Sequence, residues 1–468
     1  MDERRMRYYF HMPRSVQTLG INLVELRAWA IHRSKIFFDF LALLKETEQW
    51  DNERFEAYQS KHMRTIVNYA YRHVPFYRRL YDDHGVDISQ IRTVDDLEQL
   101  PIITKADLSS NYTQLISPVE KRPLQMGTSG TTGTPLHFLI SREQDVLNYA
   151  IAYRRDLWGG YTRDSLIARF VGDKPVKDCN DRSLVRRSYL MNRLIFPSYC
   201  LSSDNFPRIF DILRKHRVKF IQAYPSTAYI LAKYLEFEDT YYDLDALFYS
   251  SEPMYDHQRE FIEKRFHTQF FGFYGQRERI ISATECSENR YHLSMIDGIT
   301  EIVRNGEVLA DGEKGFTVTT SLHNYAMPFI RYALNDFTGY TGNSCDCGRT
   351  LPTIFPVDAW LGDFIVSPKG MIYSALLFLS PTEGMRNIAE SQVIQEDVDR
   401  ISINIVTQEG FSTSDYLRLK DSFDTMFGSE FELKINLVNN IPQTGSFKKR
   451  FAINKLGEDY IEKAFERE

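Results

Sequence analysis

Short apolar segments alternate with helix-like segments between residues 126 and 340, and this alternation constrains the fold more than any other feature. Runs with the length of buried strands occupy residues 166–171, 220–224, 246–249, 269–273 and 316–319. Residues 226–235 and 255–266 have the spacing of helices. Strands that alternate with helices are typical of a sheet with helices packed on its faces. The sequence therefore predicts an α/β architecture.

The chain before this region has helical character. In residues 55–71 apolar and aromatic side chains recur at helix-like intervals, and Pro75 cannot continue that helix. The 468 residues are enough for two or three domains. We therefore predict a large domain over residues 1–362 that includes a helical extension over residues 1–120.

The last hundred residues change character and predict a separate α+β module. Strand-like alternation occurs at 401–406 and 431–438, and helix-like spacing occurs at 414–427. A Pro-Lys-Gly turn signal lies inside residues 363–373. We predict a small, mobile C-terminal domain over residues 363–468, with the segment that contains this turn as the hinge.

Charge excludes several classes of function and location. The net charge of −6 gives no electrostatic basis for binding nucleic acid. Residues 1–5 are charged where a signal peptide would be apolar, so the sequence predicts a cytoplasmic protein.

The apolar segment 23–44 contains too many charges for a transmembrane helix. It predicts an amphipathic helix that packs on the main domain or, less favoured, contacts a membrane surface or a partner.

The cysteines give a further indication of the compartment. There are five of them, at Cys179, Cys200, Cys286, Cys345 and Cys347. In a long chain without a secretion signal, we expect a reducing compartment and thiols that are free or bound to metal, rather than a framework of disulfides.

A loop of glycine, serine and threonine at residues 127–135 predicts a phosphate-binding site. Glycines let backbone N–H groups form a concave anion site, and hydroxyl groups add donors. The predicted ligands are Thr128, Ser129, Gly130, Thr131, Thr132 and Gly133. The loop is not a Walker A motif because it lacks the Gly-Lys pair, so a lysine must come from elsewhere. A flexible polar linker is the alternative interpretation, although a strand-like apolar run follows at once.

The order Thr-Ser-Gly-Thr-Thr-Gly-x-Pro in this loop resembles the phosphate loop of the adenylate-forming ligase superfamily. Residues 250–253, the Tyr-Gly-x-x-Glu pattern at 274–278 and the Arg-Tyr-x-x-x-Asp pattern at 331–336 resemble its nucleotide-binding motifs. The narrower match is to the phenylacetate–CoA ligase-like family, which includes relatives in capsular-polysaccharide biosynthesis. It rests on segments 69–77, 100–105 and 345–349. The resemblance implies a multi-layer adenylate-forming domain followed by a small mobile domain.

The resemblance also implies a site for ATP and Mg²⁺. Besides the loop, the residues implied to bind ATP or AMP are Ser251, Glu252, Pro253, Tyr274, Gly275, Arg331 and Asp336. Tyr274 would stack on adenine, and Asp336 would accept the two ribose hydroxyls. Glu278 would be a catalytic residue that holds Mg²⁺ against the phosphates.

The missing lysine is predicted near the end of the C-terminal domain, in residues 442–450. This segment resembles the Gly-Lys segment of the family, although Phe447 stands where the family has glycine. We predict Lys448 as the catalytic residue that approaches the α-phosphate when the small domain closes. Lys449 is the alternative in register, and a basic surface turn is the alternative to both.

Three cysteines and a histidine predict a separate metal site. Cys286, His292, Cys345 and Cys347 supply the ligand set of a closed tetrahedral Zn²⁺. The resemblance favours a structural zinc, since similar positions occur in the related ligases. The spacing alone would favour unligated core thiols, because Cys-x-Cys is tighter than the usual Cys-x₂-Cys.

The predicted reaction is adenylation of a small carboxylic acid by ATP, with release of pyrophosphate, followed by transfer of the acyl group. The acceptor is either coenzyme A or an amine or hydroxyl group, the latter in polysaccharide biosynthesis. Arg277 and the pair Ala359-Trp360, before the hinge residue Asp363, depart from the family pattern. These departures motivate an alternative, a non-catalytic homologue that acts as a binding or scaffold protein in an envelope-polysaccharide pathway. The sequence names neither the acid nor the oligomeric state.

Overall fold

A computed structural model gives the fold of the chain. It describes residues 8–127, 137–171, 204–357, 387–407, 409–427, 431–442 and 452–456, with shorter pieces at 175–176, 179, 181, 183–198, 200–201, 364–366, 368, 372–374, 378 and 382. None of the helices in these residues is long and apolar enough to cross a membrane.

Helices form most of the chain before the first strand, in agreement with the predicted extension. They are α1 (Arg14–Ile31), α2 (Lys35–Glu46), a 3₁₀ turn (Thr47–Gln49), α3 (Asn52–His73), α4 (Pro75–Asp83), a second 3₁₀ turn (Asp95–Gln99), α5 (Lys105–Ser110) and α6 (Tyr112–Leu115). Pro75 is the first residue of α4, where its fixed φ and missing N–H suit a helix start. It therefore ends α3 as predicted and also begins the next helix.

The apolar segment 23–44 belongs to two helices rather than one. The Ser34 hydroxyl accepts a hydrogen bond from the backbone N–H of Phe37 and donates one to the carbonyl of Ile31. This is a helix cap inside the apolar run, so the prediction of a single amphipathic helix is wrong. Phe37 and Leu44 of α2 are completely buried. This part of the extension therefore packs on the main domain.

The main domain contains the predicted strands and helices in the predicted order. Its strands are β1 (Leu124–Gly127), β2 (His137–Ile140), β3 (Ile167–Phe170), β4 (Arg186–Ser188), β5 (Arg193–Ile195), β6 (Phe220–Ala223), β7 (Ala246–Ser250), β8 (Gln269–Gly275), β9 (Ser282–Glu285), β10 (Tyr291–Leu293), β11 (Gly298–Arg304), β12 (Glu307–Val308), β13 (Gly315–Ser321), β14 (Tyr332–Thr338) and β15 (Thr353–Ile354). The helices between them are α7 (Arg142–Trp158), α8 (Phe206–Lys215), α9 (Pro225–Phe237) and α10 (Asp256–Phe266).

The largest sheet has the strand order β15-β10-β9-β8-β7-β6-β3-β5-β4. The strands from β8 to β5 in this order run parallel. The flanking strands are antiparallel to their neighbours. A second sheet, β12-β11-β13-β14, and the pair β1-β2 complete the domain. Parallel strands place their carboxyl ends at one edge, which is where open α/β sheets bind ligands.

Both faces of the central strands are buried. Ile221 of β6 and Leu247 of β7 belong to the core that α8, α9 and α10 cover. Phe220 and Phe248, which are their neighbours along the chain, belong to the core that α2 and α7 cover on the opposite face. Successive strand residues point to opposite faces of a sheet, so both faces need apolar side chains. This explains why these strands appear as continuous apolar runs.

The C-terminal part contains the predicted α+β elements. They are β16 (Phe364–Val366), β17 (Ile372–Ser374), β18 (Ile388–Gln395), β19 (Arg400–Thr407), α11 (Thr413–Phe427), β20 (Glu432–Leu437) and β21 (Ala452–Asn454). A sheet of order β20-β19-β18-β21 buries Ile403 together with Leu419 and Phe423 of α11. The predicted hinge segment, 363–373, overlaps the antiparallel pair β16-β17, which ends one residue later at Ser374. The boundary at residue 363 stays a prediction.

Two of the five cysteines form a disulfide. Cys179 and Cys200 are bonded, with their Cα atoms 5.2 Å apart. The prediction that the cysteines are free or bound to metal is therefore wrong for this pair. The two residues lie in loops on either side of the β4-β5 hairpin. Tertiary structure brings them together, and sequence spacing alone does not reveal such a pairing.

Candidate active site

The parallel strands bring two of the predicted nucleotide-binding segments, 250–253 and 274–278, to one edge of the large sheet. Segment 251–253 follows the end of β7, and Gly275 ends β8. The two strands are parallel neighbours, and Ser250 pairs with Phe273. Ser251 has a left-handed backbone with φ of 72°. A non-glycine residue in this conformation is unusual and is often found at functional segments.

Tyr274 and Asp336 connect the two sheets at this edge. Tyr274 lies near the end of β8, Asp336 lies on β14, and the Tyr274 hydroxyl donates a hydrogen bond to Asp336 Oδ2. Burial raises the pKa of Tyr274 well above its ordinary value, and the charge of Asp336 raises it further, so the hydroxyl remains a donor. The Tyr274 side chain, which is predicted to stack on adenine, therefore contacts the Asp336 carboxylate, which is predicted to bind ribose.

Glu278 lies in a tight turn after β8 and is only 7% exposed. The backbone N–H of Arg279 donates to the carbonyl of Gln276 at 3.2 Å and closes the turn. Burial raises the pKa of Glu278, whereas the positive charges of Lys105 and Arg277 act in the opposite direction. A buried carboxylate close to cations is suited to a site where a metal and phosphates meet.

Arg277 connects this turn to the start of the predicted phosphate loop. Its Nε donates to the carbonyl of Gly127 at 3.2 Å. Gly127 ends β1 and directly precedes Thr128. The residue that departs from the family pattern therefore holds the entrance of the loop beside the turn that carries Glu278.

Several predicted residues lie outside the described part of the chain and stay predictions. They are the phosphate-loop residues Thr128, Ser129, Gly130, Thr131, Thr132 and Gly133, the two lysines Lys448 and Lys449, and the hinge residues Ala359, Trp360 and Asp363.

Arg331, predicted to bind the nucleotide, is engaged inside the protein. Its Nε and Nη2 donate to the two carboxylate oxygens of Glu301 at 3.1 and 2.7 Å. Its Nη1 donates to the carbonyls of Glu98 and Leu100 at 3.1 and 2.7 Å. These bonds occupy four of the five N–H donors of a guanidinium. They fasten the segment before α5 to β11 and indicate a structural role for Arg331.

A second candidate site is the cysteine cluster, which consists of Cys286, His292, Cys345 and Cys347. Their ligand atoms all lie within 4.8 Å of one another. Cys286 Sγ is 3.6 Å from Cys345 Sγ, and Cys347 Sγ is 3.3 Å from His292 Nε2. Sulfur ligands about 2.3 Å from a tetrahedral Zn²⁺ would be about 3.8 Å apart. The fold therefore brings the four predicted ligands together with the spacing of a tetrahedral site.

The histidine of the cysteine cluster is prepared to bind a metal. Burial lowers the pKa of His292 to about 4, so its imidazole is neutral at pH 7. Its Nδ1 lies 3.0 Å from the carbonyl of Leu351. A carbonyl only accepts hydrogen bonds, so Nδ1 carries the proton and Nε2 offers its lone pair toward Cys347. Burial raises the pKa of Cys286 to about 12, and a bound cation would favour its thiolate.

The loop that carries the last two cysteines also contacts the helical extension. Arg349 Nε donates to Glu48 Oε2 at 3.2 Å, and the Arg349 guanidinium lies 3.9 Å from the centre of the Trp158 ring. Trp158 Nε1 in turn donates to Glu48 Oε1 at 2.8 Å. The Thr350 hydroxyl donates to the carbonyl of Trp50 at 2.6 Å. The cysteine cluster therefore lies where the loop, the first 3₁₀ turn and α7 meet.

Three residues near the site were not assigned roles from the sequence. Lys105 lies in segment 100–105, from which only the family resemblance was inferred. Its positive charge acts to lower the pKa of Glu278. Gln144 and Asp145 lie in the first turn of α7, and both contact Arg279. Gln144 and Asp145 lie 135 and 134 positions before Arg279 in the chain, so no local sequence pattern could identify these contacts.

The chain has relatives among known proteins. A family model described as the CapK C-terminal domain matches residues 365–455. Protein CapK of Staphylococcus aureus is 25% identical over 468 residues, which cover 96% of this chain and 99% of CapK. Phenylacetate-coenzyme A ligase of Thermus thermophilus is 27% identical over 339 residues, which cover 69% of this chain and 74% of the ligase.

A solved structure supports the fold independently. It is 2-hydroxyisobutyryl-CoA ligase in the postadenylation state with R3-HIB-AMP, which matches with a TM-score of 0.62 and 21% identity, over 86% of this chain and 90% of that one. The predicted fold class, a large adenylate-forming α/β domain followed by a C-terminal domain, is confirmed. The enzyme class, an adenylate-forming ligase, is also confirmed by the relatives. The chain is therefore similar to CapK along its whole length and to the phenylacetate-coenzyme A ligases over most of it, and it shares the fold of a solved CoA ligase.

Proposed function

We propose that the chain adenylates a small carboxylic acid with ATP and then transfers the acyl group to an acceptor. The observation that carries this proposal is the convergence of Tyr274, Asp336, Glu278 and the Gly127 carbonyl at one edge of the large sheet. Adenine and ribose would contact the first two residues. The triphosphate would lie in the loop that begins after Gly127.

In the adenylation step, a carboxylate oxygen of the acid forms a bond to the α-phosphorus while the bond to pyrophosphate breaks. Glu278 fits a magnesium ligand because Mg²⁺ prefers carboxylate oxygens, and the bound ion would neutralise charge on the phosphates. The backbone N–H groups of the loop would hold the leaving pyrophosphate. Lys448 would bring a positive charge to the α-phosphate when the C-terminal domain closes.

We propose coenzyme A as the first acceptor to test. Two of the similar proteins, phenylacetate-coenzyme A ligase and 2-hydroxyisobutyryl-CoA ligase, have coenzyme A in their names. The full-length similarity to CapK and the CapK C-terminal domain keep an amine or hydroxyl acceptor in polysaccharide biosynthesis as the second candidate. A cytoplasmic location belongs to this proposal because ATP and coenzyme A are supplied there, and cell fractionation tests it.

The proposed function is tested by ATP–pyrophosphate exchange against a panel of aryl, hydroxy and amino carboxylic acids. We expect one class of acid to stimulate exchange in the presence of Mg²⁺, and the reaction without acid is the control. Coenzyme A should then release AMP and yield a thioester. Formation of acyl-AMP without any thioester would direct the search to amine and hydroxyl acceptors.

The scaffold alternative makes the opposite prediction in this experiment. A scaffold would bind ATP, as measured by calorimetry, and would give no exchange with any acid of the panel. Arg277 motivates this alternative because it departs from the family pattern next to Glu278. In the structure its Nε binds the Gly127 carbonyl, so it supports the loop entrance rather than obstructing it. This contact favours the ligase.

We further propose that the cysteine cluster binds a structural Zn²⁺. The proposal is supported by three sulfur atoms and one imidazole nitrogen within 4.8 Å of one another, and by the hydrogen bond that His292 Nδ1 donates to the carbonyl of Leu351. All four positions of a tetrahedral ion would be filled by protein, which is typical of structural rather than catalytic zinc.

Purified protein is expected to contain about one zinc per chain, as a closed four-ligand site implies. Cys347→Ser should lower the zinc content and the melting temperature, whereas activity per folded molecule should change little. Elemental analysis and calorimetric melting measure the two effects. Asp346→Asn is the matched control because this exposed residue lies between the two cysteines. Protein grown with zinc that contains no metal would refute the proposal.

A further inference from the structure

The turn that carries Glu278 is held from outside by the first turn of α7. Gln144 Nε2 donates to the carbonyl of Arg279 at 2.5 Å. The Arg279 guanidinium donates to Asp145 Oδ1. The residue that directly follows Glu278 is therefore bound at both its backbone and its side chain.

The conformation of Arg279 explains why it needs such support. Its φ is 57°, in the left-handed region, where a side chain with a Cβ is unfavourable. Such conformations persist when the surroundings determine them through several contacts. Here the two bonds from α7 supply those contacts. Loss of either bond would allow the turn to relax and would reorient Glu278.

Asp145 also connects the turn to the helical extension. It is 2% exposed, and its second carboxylate oxygen accepts a hydrogen bond from the Arg27 guanidinium of α1. The negative charge of Asp145 is therefore shared between two arginines. A buried carboxylate requires such partners, so Arg27 helps to keep Asp145 in place.

The first turn of α7 is itself fixed to the main domain. The backbone N–H of Ser141 donates to Asn324 Oδ1 at 2.9 Å, and the Ser141 hydroxyl donates to the carbonyl of His323 at 2.7 Å. Ser141 also caps the helix by accepting from the backbone N–H of Gln144. The first turn of α7, which holds Arg279 through Gln144 and Asp145, is therefore fixed to the segment between β13 and β14.

We propose that Gln144 and Asp145 are positioning residues for Glu278, and that Arg27 of the helical extension acts with them through Asp145. They fix the left-handed turn that directs the Glu278 carboxylate toward the metal and the phosphates. The inference rests on the proposed function, in which Glu278 binds Mg²⁺. It extends the nucleotide site to the first helix of the chain.

The test compares the metal affinity of the wild type, Asp145→Asn and a matched control, Asp181→Asn. Asp181 also accepts a hydrogen bond from α1, through Arg14, but it makes none of the described contacts with the Glu278 turn. Mn²⁺ binding in the presence of a non-hydrolysable ATP analogue is measured by electron paramagnetic resonance. The Mg²⁺ concentration for half-maximal exchange is measured in parallel.

Asp145→Asn is expected to weaken Mn²⁺ binding about tenfold and to raise the half-maximal Mg²⁺ concentration by the same factor, as is typical for loss of a residue that orients a metal ligand. The KM for the acid should stay within about twofold, and Asp181→Asn should change neither metal constant. Folded Asp145→Asn with wild-type Mn²⁺ affinity would overturn the proposal.

A second pair of variants serves if Asp145→Asn does not fold. Arg27 lies on the protein surface with its side chain 54% exposed, so its replacement should be tolerated. Arg27→Ala should shift Mn²⁺ affinity in the same direction, and Arg27→Lys should restore most of it. Equal affinities in both variants and the wild type would overturn the proposal. Wild type that binds Mn²⁺ with the analogue but exchanges with no acid would contradict the ligase function alone.

Discussion

Replacing Glu278 by glutamine is expected to reduce acyl-AMP formation about a hundredfold to a thousandfold, because loss of a metal ligand at a phosphoryl-transfer site costs several kcal/mol in the barrier. Glutamine has nearly the same shape but lacks the negative charge that binds Mg²⁺. The side chain is buried, and the positive charges of Lys105 and Arg277 act on it. Exchange of ATP and pyrophosphate with a confirmed acid measures the effect.

Glu288→Gln is the control for this substitution, since Glu288 is exposed and lies in the turn between β9 and β10. It should retain wild-type exchange. Thermal melting of Glu278→Gln should show an intact fold, because removal of a buried charge does not disrupt the sheet. Wild-type exchange rates in Glu278→Gln would remove Glu278 from the site and would leave the magnesium ligand unassigned.

Replacing Lys448 by alanine is expected to reduce exchange by roughly a hundredfold to a thousandfold, the usual effect of removing a positioned charge from a developing oxyanion. ATP binding should stay near normal, because the proposed function assigns it to Tyr274, Asp336 and the phosphate loop rather than to Lys448. Supplying acyl-AMP made in advance should partly restore transfer to the acceptor. Calorimetry, exchange and the transfer assay measure these three effects separately.

Two lysines serve as controls for the position of this charge. Lys455→Ala should be harmless, because Lys455 Nζ binds Glu396 at 2.5 Å on the surface of the C-terminal part. A large effect of Lys449→Ala with normal activity of Lys448→Ala would shift the register by one residue and keep the mechanism. No effect of either substitution would mean that the C-terminal domain does not supply the lysine.

Apolar patterning predicted the secondary structure of the main domain well, because its strands are buried on both faces and its helices are long. Residues such as Phe248 have to be apolar wherever the sheet is covered by helices on both sides. The pattern failed where a single polar residue determines the local geometry. Ser34 divides the apolar segment 23–44 into two helices through two hydrogen bonds of its hydroxyl. The spacing of hydrophobic residues does not reveal such a cap, because the cap depends on one polar side chain.

The candidate site was predictable where a motif places its residues next to one another in the chain. Tyr274 and Glu278 belong to one motif; Tyr274 lies near the end of β8 and Glu278 in the turn that follows, and their roles stay predictions. Arg331 shows the limit of motif reasoning, since its neighbours in space, Glu301 and the carbonyl of Leu100, are distant in the chain. The disulfide of Cys179 and the support of Arg279 by α7 depend on the same kind of long-range contact.

The contacts of Glu48 with Arg349 and Trp158 have a consequence for local opening of the folded molecule, because they connect segments that are distant in the chain. In native-state hydrogen exchange, segments that share such contacts lose amide protection as one cooperative unit. We therefore expect the first 3₁₀ turn and the loop after Cys347 to lose amide protection together, although Glu48 and Arg349 are 301 positions apart in the chain. The segment that contains Glu48 is therefore part of the main domain, and a chain shortened to begin after it would leave the Arg349 and Trp158 side chains without this carboxylate.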